Sequence, residues 1–476
     1  MARPAGRTAL KHLKRAADHL QQGAFPAAIR EAQLALKADP AAIDARAILG
    51  IARVQSGAAE AGLADLQAAL AARPRDPQLL FNLGHAQSIA GHDAAARQSF
   101  EAALRLDPGN LPARMNLAHL FLRADDPKQA AVTFRAALNG APFMVEAHLG
   151  LGLALQQQHR LEDAERAFRE ALRLAPGHPQ ALMNLGNLLI DADRPAEARP
   201  LLEEAARLPG AGGDSWCNLG VAAYDCGDLQ AALADLDEAL VRKPGHTRAL
   251  ATKVIVLDEL GRHDAAHALA DPGLVEQHRL PQIDNEALTA FALSHPTLME
   301  ARSGKTTMLG QQSAQLHYGE DPALDALLQA MEAAGADYRA RRCATDGAAL
   351  PEHPFLAHPP KRWQIVPWIT VLRDQGHQDS HNHPSGWLSG VYYAAAPGIR
   401  RDDNGKTGWL ELGRPHSRFK AQHLPALDYV CPEPGLLVLF PSFAWHMTVP
   451  FAGTEPRISI AFDLVPVDDL APGDGG

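Results

Sequence analysis

Two histidines stand two residues apart in the stretch SHNHPSGWLSGVYY, where His381 and His383 precede an apolar run. In an extended chain, side chains at positions i and i+2 point to the same side, so both imidazoles would lie on one face. A third histidine, His446, follows the apolar run GLLVLFPS. Neutral imidazole is a common metal ligand, and a close pair with one distant histidine suits iron held between β-strands. The pattern therefore indicates a metal centre.

Short runs with the composition of β-strands surround these histidines. They are rich in Val, Ile and aromatic residues, are separated by Gly, Pro and Asp, and occupy residues 362–373, 386–395, 407–412, 435–442 and 457–465. Five or more such strands within roughly a hundred residues are typical of a sandwich or jelly roll. Apolar residues at helical spacing over 322–342 predict a helix packed on the outside of this domain.

The N-terminal half has a different organisation, because its sequence repeats with a period of 34 residues. Segments 77–110 and 145–178 show the repeat clearly, and eight such segments run without insertion from residue 9 to residue 280. Small residues recur where two helices must approach closely, at Gly50, Gly84, Ala118, Gly152, Gly186 and Gly220. Prolines that end the second helix recur at Pro40, Pro74, Pro108, Pro142, Pro176 and Pro244. Each unit is therefore predicted to be a helix hairpin, and the degenerate segment 247–280 to be a cap.

This pattern closely resembles the tetratricopeptide repeat (TPR), which implies a right-handed superhelix with a concave groove that binds peptides or proteins. Asparagine occupies the sixth repeat position four times, at Asn82, Asn116, Asn184 and Asn218. If the first helix of each hairpin lines the groove, these amides would form a ladder that grips an extended peptide backbone through donors and acceptors. The alternative is that they only bond neighbouring helices.

The C-terminal segments HNHPSGWLSGVYY and GLLVLFPSFAWHMTVPFAGTEPRISIAFDL resemble the 2-oxoglutarate and Fe(II)-dependent oxygenases, in the branch with an H-x-H-P…SGVYY signature. By that resemblance His446 is the distal iron ligand. Arg457, eleven residues further on, would pair with the far carboxylate of 2-oxoglutarate. Ser459 and Tyr393 would also lie at the cofactor, and Trp387 and Trp445 would form a pocket wall beside the substrate.

The third iron ligand departs from the family pattern. The usual triad has a carboxylate in H-x-D/E order, whereas this sequence has His383 at that position. We expect all three histidines to bind iron, but two alternatives stay open. Asp379 could replace one histidine, or Glu411, remote in sequence, could complete the site.

The resulting prediction is a multidomain α+β protein. The repeat array occupies residues 1–280, a helical linker and the start of the oxygenase domain occupy 281–361, and a double-stranded β-helix (jelly-roll) core occupies 362–476. With Fe(II), 2-oxoglutarate and O2, such a protein would hydroxylate a protein or peptide side chain recruited by the groove. The rival interpretations are a non-catalytic scaffold with a degenerate oxygenase domain, and a three-histidine dioxygenase that does not use 2-oxoglutarate.

Composition excludes several other classes. The net charge of -10 and the absence of a long basic block argue against a nucleic-acid partner. No apolar run could cross a bilayer and no signal-peptide core is present, so we expect no membrane contact and a cytoplasmic location. The four cysteines, Cys217, Cys226, Cys343 and Cys431, have neither disulfide-scaffold nor zinc spacing.

Overall fold

The computed structural model describes residues 4–300, 306–343, 353–401, 404–421, 426–451, 453 and 455–467. The chain forms two compact units, Met1–Ala192 and Asp193–Gly476. None of the helices in the described ranges is both long enough and apolar enough to cross a membrane.

The first unit consists of helices that pair in sequence as antiparallel hairpins. They are α1 (Pro4–Gln21), α2 (Phe25–Ala38), α3 (Ile43–Gln55), α4 (Ala59–Ala72), α5 (Pro77–Ile89), α6 (Asp93–Leu106), α7 (Leu111–Arg123), α8 (Pro127–Gly140), α9 (Val145–Gln157), α10 (Leu161–Leu174) and α11 (Pro179–Asp191). The small residue near the middle of each first helix is required by close packing. A Cβ atom on Gly152 would lie 2.3 Å from the Phe168 ring.

The second unit begins with the remaining repeat helices. They are α12 (Pro195–Arg207), α13 (Gly213–Asp225), α14 (Leu229–Arg242), α15 (Thr247–Glu259) and the short α16 (His263–Leu269). The short α16 lies within the segment 247–280 that the repeat pattern predicts to be a cap. The chain then enters the sheet at Glu276, four residues before the boundary that the repeat pattern predicts, because residues 276–279 pair with residues 436–439.

An antiparallel ten-stranded sheet forms the rest of the second unit. Its strands are β1 (Glu276–Arg279), β2 (Met299–Glu300), β3 (Thr307–Gln312), β4 (Trp363–His381), β5 (Leu388–Ala395), β6 (Leu410–Leu412), β7 (Asp428–Val430), β8 (Leu436–Pro441), β9 (His446–Thr448) and β10 (Arg457–Pro466). Helices α17 (Asn285–Ser294), α18 (Pro322–Arg342) and α19 (Pro354–Ala357) accompany it. All five predicted strands and the predicted helix at 322–342 are therefore present.

The sheet curls because the long strand β4 changes partners along its length. The main path of the sheet is β1-β8-β5-β10-β4-β9-β6-β7, with β3 also paired to β4. The first half of β4 pairs with β10, whereas its end pairs with β9 through His381 and His446. Alternate side chains divide between two cores: Tyr393 faces the interior of the curl and Tyr392 faces the helices. This is the antiparallel curled sheet expected of a jelly roll.

The last repeat helices and the sheet share one hydrophobic core within the second unit. Leu250 and Val254 of α15 belong to the same buried cluster as Leu439 of β8 and Phe462 of β10. The hydrogen bonds that join the two parts include Trp445 Nε1 to Ala251 O (3.2 Å), Tyr224 OH to Phe419 O (2.7 Å) and Thr247 Oγ1 to Gly386 O (3.1 Å). The terminal repeats therefore pack against the sheet and contribute to its hydrophobic core.

Candidate metal centre

The three predicted histidines come together at one end of the curled sheet. One ring nitrogen from each of His381, His383 and His446 lies within 4.8 Å of the other two. The Nε2 atoms of His383 and His446 are 3.2 Å apart, and the His381 and His446 ring centroids are 4.3 Å apart. Two ligands of one metal at about 2.1 Å and a right angle would stand about 3 Å apart, so the spacing fits a shared ion.

Hydrogen bonds fix which nitrogen of each ring is free. The Nδ1 atom of His381 lies 2.7 Å from the Asp379 carbonyl oxygen, and that of His446 lies 3.0 Å from the Ala444 carbonyl oxygen. A carbonyl oxygen only accepts, so each Nδ1 carries the proton and donates it. The Nε2 atoms are left with lone pairs, which is the state in which imidazole binds a metal.

Burial keeps two of these rings neutral. Loss of solvent, reinforced by the neighbouring His383, lowers the pKa of His381 to about 4. Loss of solvent likewise holds the pKa of His446 well below its ordinary value. Both side chains are therefore neutral ligands at physiological pH.

Each histidine lies in a different segment of the β-domain. His381 is the last residue of β4 and lies opposite His446, the first residue of β9. His383 follows β4 in a loop that is tied to the end of β8 through a hydrogen bond from its backbone N–H to the Ser442 carbonyl oxygen (2.9 Å). Its Nδ1 lies 2.8 Å from Asp463 Oδ2, a residue of β10 that the sequence analysis did not single out.

Neither alternative carboxylate lies in the cluster. The Asp379 side chain is 55% exposed and lies 3.4 Å from His377. Glu411 is buried but forms an ion pair with Arg414, and its neighbour Leu412 is the residue that pairs with His446. Since side chains alternate along a strand, Glu411 points to the opposite face from His446. Among the described residues, the set that could hold a metal is all-histidine.

Arg457 forms the other polar end of the same interior. It is only 2% exposed, and its Nε and Nη1 atoms find no hydrogen-bond partner among the described residues. Its guanidinium carbon lies 4.9 Å from the centroid of the Tyr393 ring. Burial lowers the pKa of Arg457 and raises the pKa of Tyr393. The two side chains lie close enough to affect each other's pKa, but the Tyr393 hydroxyl forms no well-aligned hydrogen bond with the guanidinium. A buried cation without an acceptor is costly, so the site is suited to an anion.

Three hydroxyl residues stand in a row across neighbouring strands on the same side of the sheet as Arg457. Ser459 of β10 lies opposite Thr370 of β4 on one side and Tyr393 of β5 on the other. All three are buried, and the Thr370 and Tyr393 hydroxyls have no partner among the described residues. Thr370 was missed at the sequence level, although its place as the one hydroxyl residue in the run WQIVPWITVLR was a signal.

One pocket joins the histidines to the arginine. The space between them is narrow, with a cavity volume of about 20 Å³. Its lining includes His381, His383, His446, Arg457, Tyr393, Trp368, Gln378, Leu410, Phe440 and Thr448. A small molecule with a metal-binding end and an anionic end matches this distribution of groups.

The two predicted tryptophans of the pocket wall lie elsewhere. Trp387 points to the opposite side of the sheet, where its ring stacks on Phe355 with centroids 5.6 Å apart. Trp445 follows the same pattern, because its neighbour His446 faces the interior while Trp445 contacts Phe419 and Ala251. Neither tryptophan lines the pocket with the histidines: Trp387 lies in the bend before β5, and Trp445 is one residue out of phase with the inward-facing His446.

The asparagines of the predicted ladder fall into two groups. Asn82 on α5 accepts a hydrogen bond from Gln78 (3.0 Å), Asn116 on α7 donates to the Pro112 carbonyl oxygen (3.1 Å), and Asn184 on α11 is partly buried. Asn218, in contrast, is buried and accepts a hydrogen bond from Arg248 of α15. Asn218 therefore bonds a neighbouring helix, as the alternative interpretation expects.

The class of protein follows from these two parts: a helical repeat array joined to a curled β-domain with a histidine cluster. A family profile described as "Putative 2OG-Fe(II) oxygenase" matches residues 367–463, which contain all three histidines and Arg457. A tetratricopeptide repeat profile matches residues 49–110, 115–179, 151–212 and 183–247. The chain combines a TPR array with a domain of this oxygenase family.

Solved structures similar to parts of this chain include two that are described as tetratricopeptide repeat proteins. One is a tetratricopeptide repeat protein from Parabacteroides merdae ATCC 43184, with 16% identity, a TM-score of 0.42, and coverage of 50% of this chain and 94% of that one. Another is MamA from Desulfovibrio magneticus RS-1, with 23% identity, a TM-score of 0.34, and coverage of 35% and 94%. A third is YrrB, described as a TPR protein with an unusual peptide-binding site, with 20% identity, a TM-score of 0.32, and coverage of 37% and 90%. No curated protein matches this chain.

Proposed function

We propose that this protein is an Fe(II)- and 2-oxoglutarate-dependent dioxygenase that hydroxylates a side chain of a protein or peptide recruited by the repeats. The observation that carries the proposal is that the three-histidine cluster and the unpaired, buried Arg457 line one pocket. The oxygenase profile over residues 367–463 supports the same chemistry.

In this proposal His381, His383 and His446 hold iron through their Nε2 atoms. Three protein ligands leave open positions on a six-coordinate ion for the co-substrate and oxygen. Bound Fe(II) would couple the conversion of 2-oxoglutarate and O2 to succinate and CO2 with insertion of the second oxygen atom into a C–H bond. The balance is R–H + O2 + 2-oxoglutarate to R–OH + succinate + CO2.

The remaining residues would bind and orient the co-substrate. Arg457 would pair with the distal carboxylate of 2-oxoglutarate, and that pairing would satisfy the Nε and Nη1 atoms left without acceptors. Tyr393 lines the pocket with Arg457, and Ser459 and Thr370 occupy paired positions in the neighbouring strands; their hydroxyls would donate to the same carboxylate. Trp368 and Phe440 line the pocket between the two ends and would exclude water.

An all-histidine set changes the charge at the centre. Imidazoles are neutral, so a bound Fe(II) would keep its full charge of about +2, whereas a carboxylate ligand would lower it. We infer that this favours a dianionic co-substrate, which neutralises the ion at one end of the pocket and Arg457 at the other.

The repeats would supply the substrate. An array that binds a peptide next to an active site raises the local concentration of that peptide at the site, provided that both can be engaged together. Asn82, Asn116 and Asn184 are the partly exposed members of the predicted ladder and are our candidates for contacts to an extended peptide. The proposed substrate is therefore a protein or peptide segment, and O2 is the gaseous co-substrate.

A second candidate is a three-histidine dioxygenase that acts without 2-oxoglutarate. The observation in its favour is that the metal cluster contains no carboxylate. The unpaired Arg457 favours the first candidate, since a co-substrate with a single metal-binding end would leave that guanidinium without an acceptor.

Conversion of 2-oxoglutarate to succinate tests the proposal. The full chain, loaded with Fe(II) and supplied with O2, is expected to release succinate, and Arg457→Met is expected to raise the half-saturating 2-oxoglutarate concentration by about 100-fold, the value of a lost charged hydrogen-bond pair. Iron affinity should stay within about twofold of wild type in that variant. If Arg457→Met leaves the 2-oxoglutarate dependence of succinate formation unchanged, the proposed role of Arg457 is wrong. Iron binding without succinate formation would favour the second candidate.

A further inference from the structure

A buried carboxylate stands directly behind one of the three histidines. Asp463 is 13% exposed, and its Oδ2 accepts a hydrogen bond from His383 Nδ1 at 2.8 Å. Its Oδ1 accepts a second hydrogen bond from Ser389 Oγ at 2.6 Å, and Ser442 Oγ lies 2.8 Å from Ser389 Oγ. The carboxylate is thus oriented from both sides.

We propose that Asp463 is a positioning residue that supplies, through His383, the negative charge missing from the three-histidine set. The inference rests on the metal site of the proposed function and adds a role for a residue that lies outside the histidine cluster. In the usual H-x-D/E triad the carboxylate coordinates the metal directly. In this protein the Asp463 carboxylate would instead lie behind the imidazole of His383, which occupies the place of that carboxylate in the sequence.

The partners of the three rings differ in charge. His381 and His446 donate their Nδ1 protons to the neutral carbonyl oxygens of Asp379 and Ala444. His383 alone donates to a carboxylate. A carboxylate behind a ligating histidine makes its metal-binding nitrogen more basic and fixes the ring orientation. His383 is therefore expected to be the strongest donor of the three.

The surroundings hold this pair in one geometry. Asp463 lies in β10 between Ser389 of β5 and Val366 of β4, so its backbone is fixed on both sides. The His383 ring stacks on Trp368, with centroids 5.6 Å apart and planes inclined by 18°. The loop after His383 passes so close to β8 that a Cβ atom on Gly386 would lie 2.5 Å from Ser442 Oγ.

Asp463→Asn removes the charge while it keeps the shape and an acceptor oxygen for His383. Loss of such a partner typically weakens metal binding by about 10–100-fold. The experiment measures Co(II) affinity of the full-length apoprotein by titration of the visible absorption of the bound ion, with Fe(II) affinity as a second measurement under anaerobic conditions. The Co(II) spectrum should also shift, because the donor strength of one ligand changes.

Two matched variants separate charge from structure. Asp379→Asn removes an exposed carboxylate that is next to the cluster but does not contact its imidazoles, and should leave affinity within about twofold of wild type. Ser389→Ala removes one hydrogen bond to Asp463 but keeps the charge, and should cost only about fivefold, the value of one neutral hydrogen bond. Thermal unfolding of each apoprotein identifies any variant that fails to fold. If Asp463→Asn does not fold, Asp463→Glu takes its place in the experiment, and this variant is expected to retain part of the metal affinity.

The outcomes distinguish failure of the proposed metal site from failure of the proposed role of Asp463. If wild type binds no Co(II), the proposed metal site itself is wrong. If wild type binds Co(II) and Asp463→Asn binds it equally well with an unchanged spectrum, the role of Asp463 is overturned while the metal site stands. A loss in Ser389→Ala as large as that in Asp463→Asn would show that orientation, not charge, is what Asp463 contributes, and would also overturn the proposal.

Discussion

His383 and His446 present their Nε2 atoms to each other across 3.2 Å, while both Nδ1 atoms are committed to acceptors on the far sides of the rings. Two lone pairs at this distance repel unless a cation lies between them. A divalent metal bound to both nitrogens would remove this repulsion.

Metal binding should consequently stabilise the fold. At a free Co(II) concentration about 100 times its Kd, the free energy of unfolding should rise by about 2.7 kcal/mol, because the ion binds only the folded site. Thermal unfolding with Co(II) and with a chelator measures this difference. The His446→Ala variant should lose the stabilisation, and an equal shift in wild type and variant would place the ion elsewhere.

A second prediction concerns pH and the acidic residue Asp235 on α14. Burial raises the pKa of Asp235 to about 6; Arg199 partly opposes this increase, and Glu203 and Asp228 add smaller increases. The folded state then binds more protons than the unfolded state between about pH 4 and 6, so ionised Asp235 lowers stability above pH 6 and has no such effect below pH 4. Asp235→Asn should therefore increase the free energy of unfolding by about 1–3 kcal/mol at pH 7.5.

The same comparison at pH 4 provides the control for Asp235. There the wild-type carboxyl is protonated in the folded state, and the difference between wild type and Asp235→Asn should nearly vanish. Urea unfolding at both pH values measures it. A gain in stability that is as large at pH 4 as at pH 7.5 would assign the effect to packing and not to charge.

The repeats give a third prediction, about substrate binding. Replacing Asn116 and Asn184 by Ala should weaken a peptide selected for binding to the full-length protein by about 10- to 30-fold, because two amide contacts are lost. Asn218→Ala is the matched control. Asn218 is buried against Arg248, so this variant should lose about 1–3 kcal/mol of stability and keep its peptide affinity. Unchanged affinity in the double variant would exclude the ladder as the binding surface.

A fourth prediction follows from the shared core of the second unit. A chain that begins at Asp193 should fold cooperatively and bind Co(II) as the full protein does. A chain that begins at 281 lacks α15 and β1, so it would expose the sheet residues that pack against Leu250 and Val254 and leave β8 without its edge partner. Each buried aliphatic side chain contributes roughly 1.5–3 kcal/mol, so losing several removes stability comparable to that of a whole domain.

Circular dichroism and size-exclusion chromatography of the two shortened chains test this fourth prediction. The longer chain should be a folded monomer or defined oligomer, and the shorter one should aggregate. A well-folded, metal-binding chain from 281 would show that the last repeats are dispensable for the β-domain.

The sequence predicted the parts of this structure that have strong periodic or compositional signals. The 34-residue period identified the helix hairpins, and the spacing of His381 and His383 identified two members of the cluster, because alternation in an extended chain is a local rule. His446 was found only with the run GLLVLFPSFAWH beside it. The strands β1, β2, β3, β7 and β9 were missed, since short segments such as Glu276–Arg279 acquire strand structure from their partners and carry little signal of their own.

The roles of residues that act through long-range pairing also could not be predicted from the sequence. Asp463 lies eighty residues from His383 and joins it only because β10 crosses the sheet beside β4 and β5. Trp387 and Trp445 show the opposite error. Their nearness to the ligands along the chain made them candidates for the pocket. Trp387 lies in the bend before β5, outside the alternation of that strand, and Trp445 is one residue out of phase with the inward-facing His446.

Anaerobic titration of the Fe(II)-loaded protein with 2-oxoglutarate tests the central claim most directly. If iron bound by the three histidines chelates the keto acid while Arg457 holds its far carboxylate, a metal-to-ligand charge-transfer band should appear in the visible region. The band should be lost in His381→Ala, His383→Ala and His446→Ala, and should need a much higher 2-oxoglutarate concentration in Arg457→Met. Wild-type protein that retains no iron and shows no band would contradict the account and move the function of this chain to its repeats.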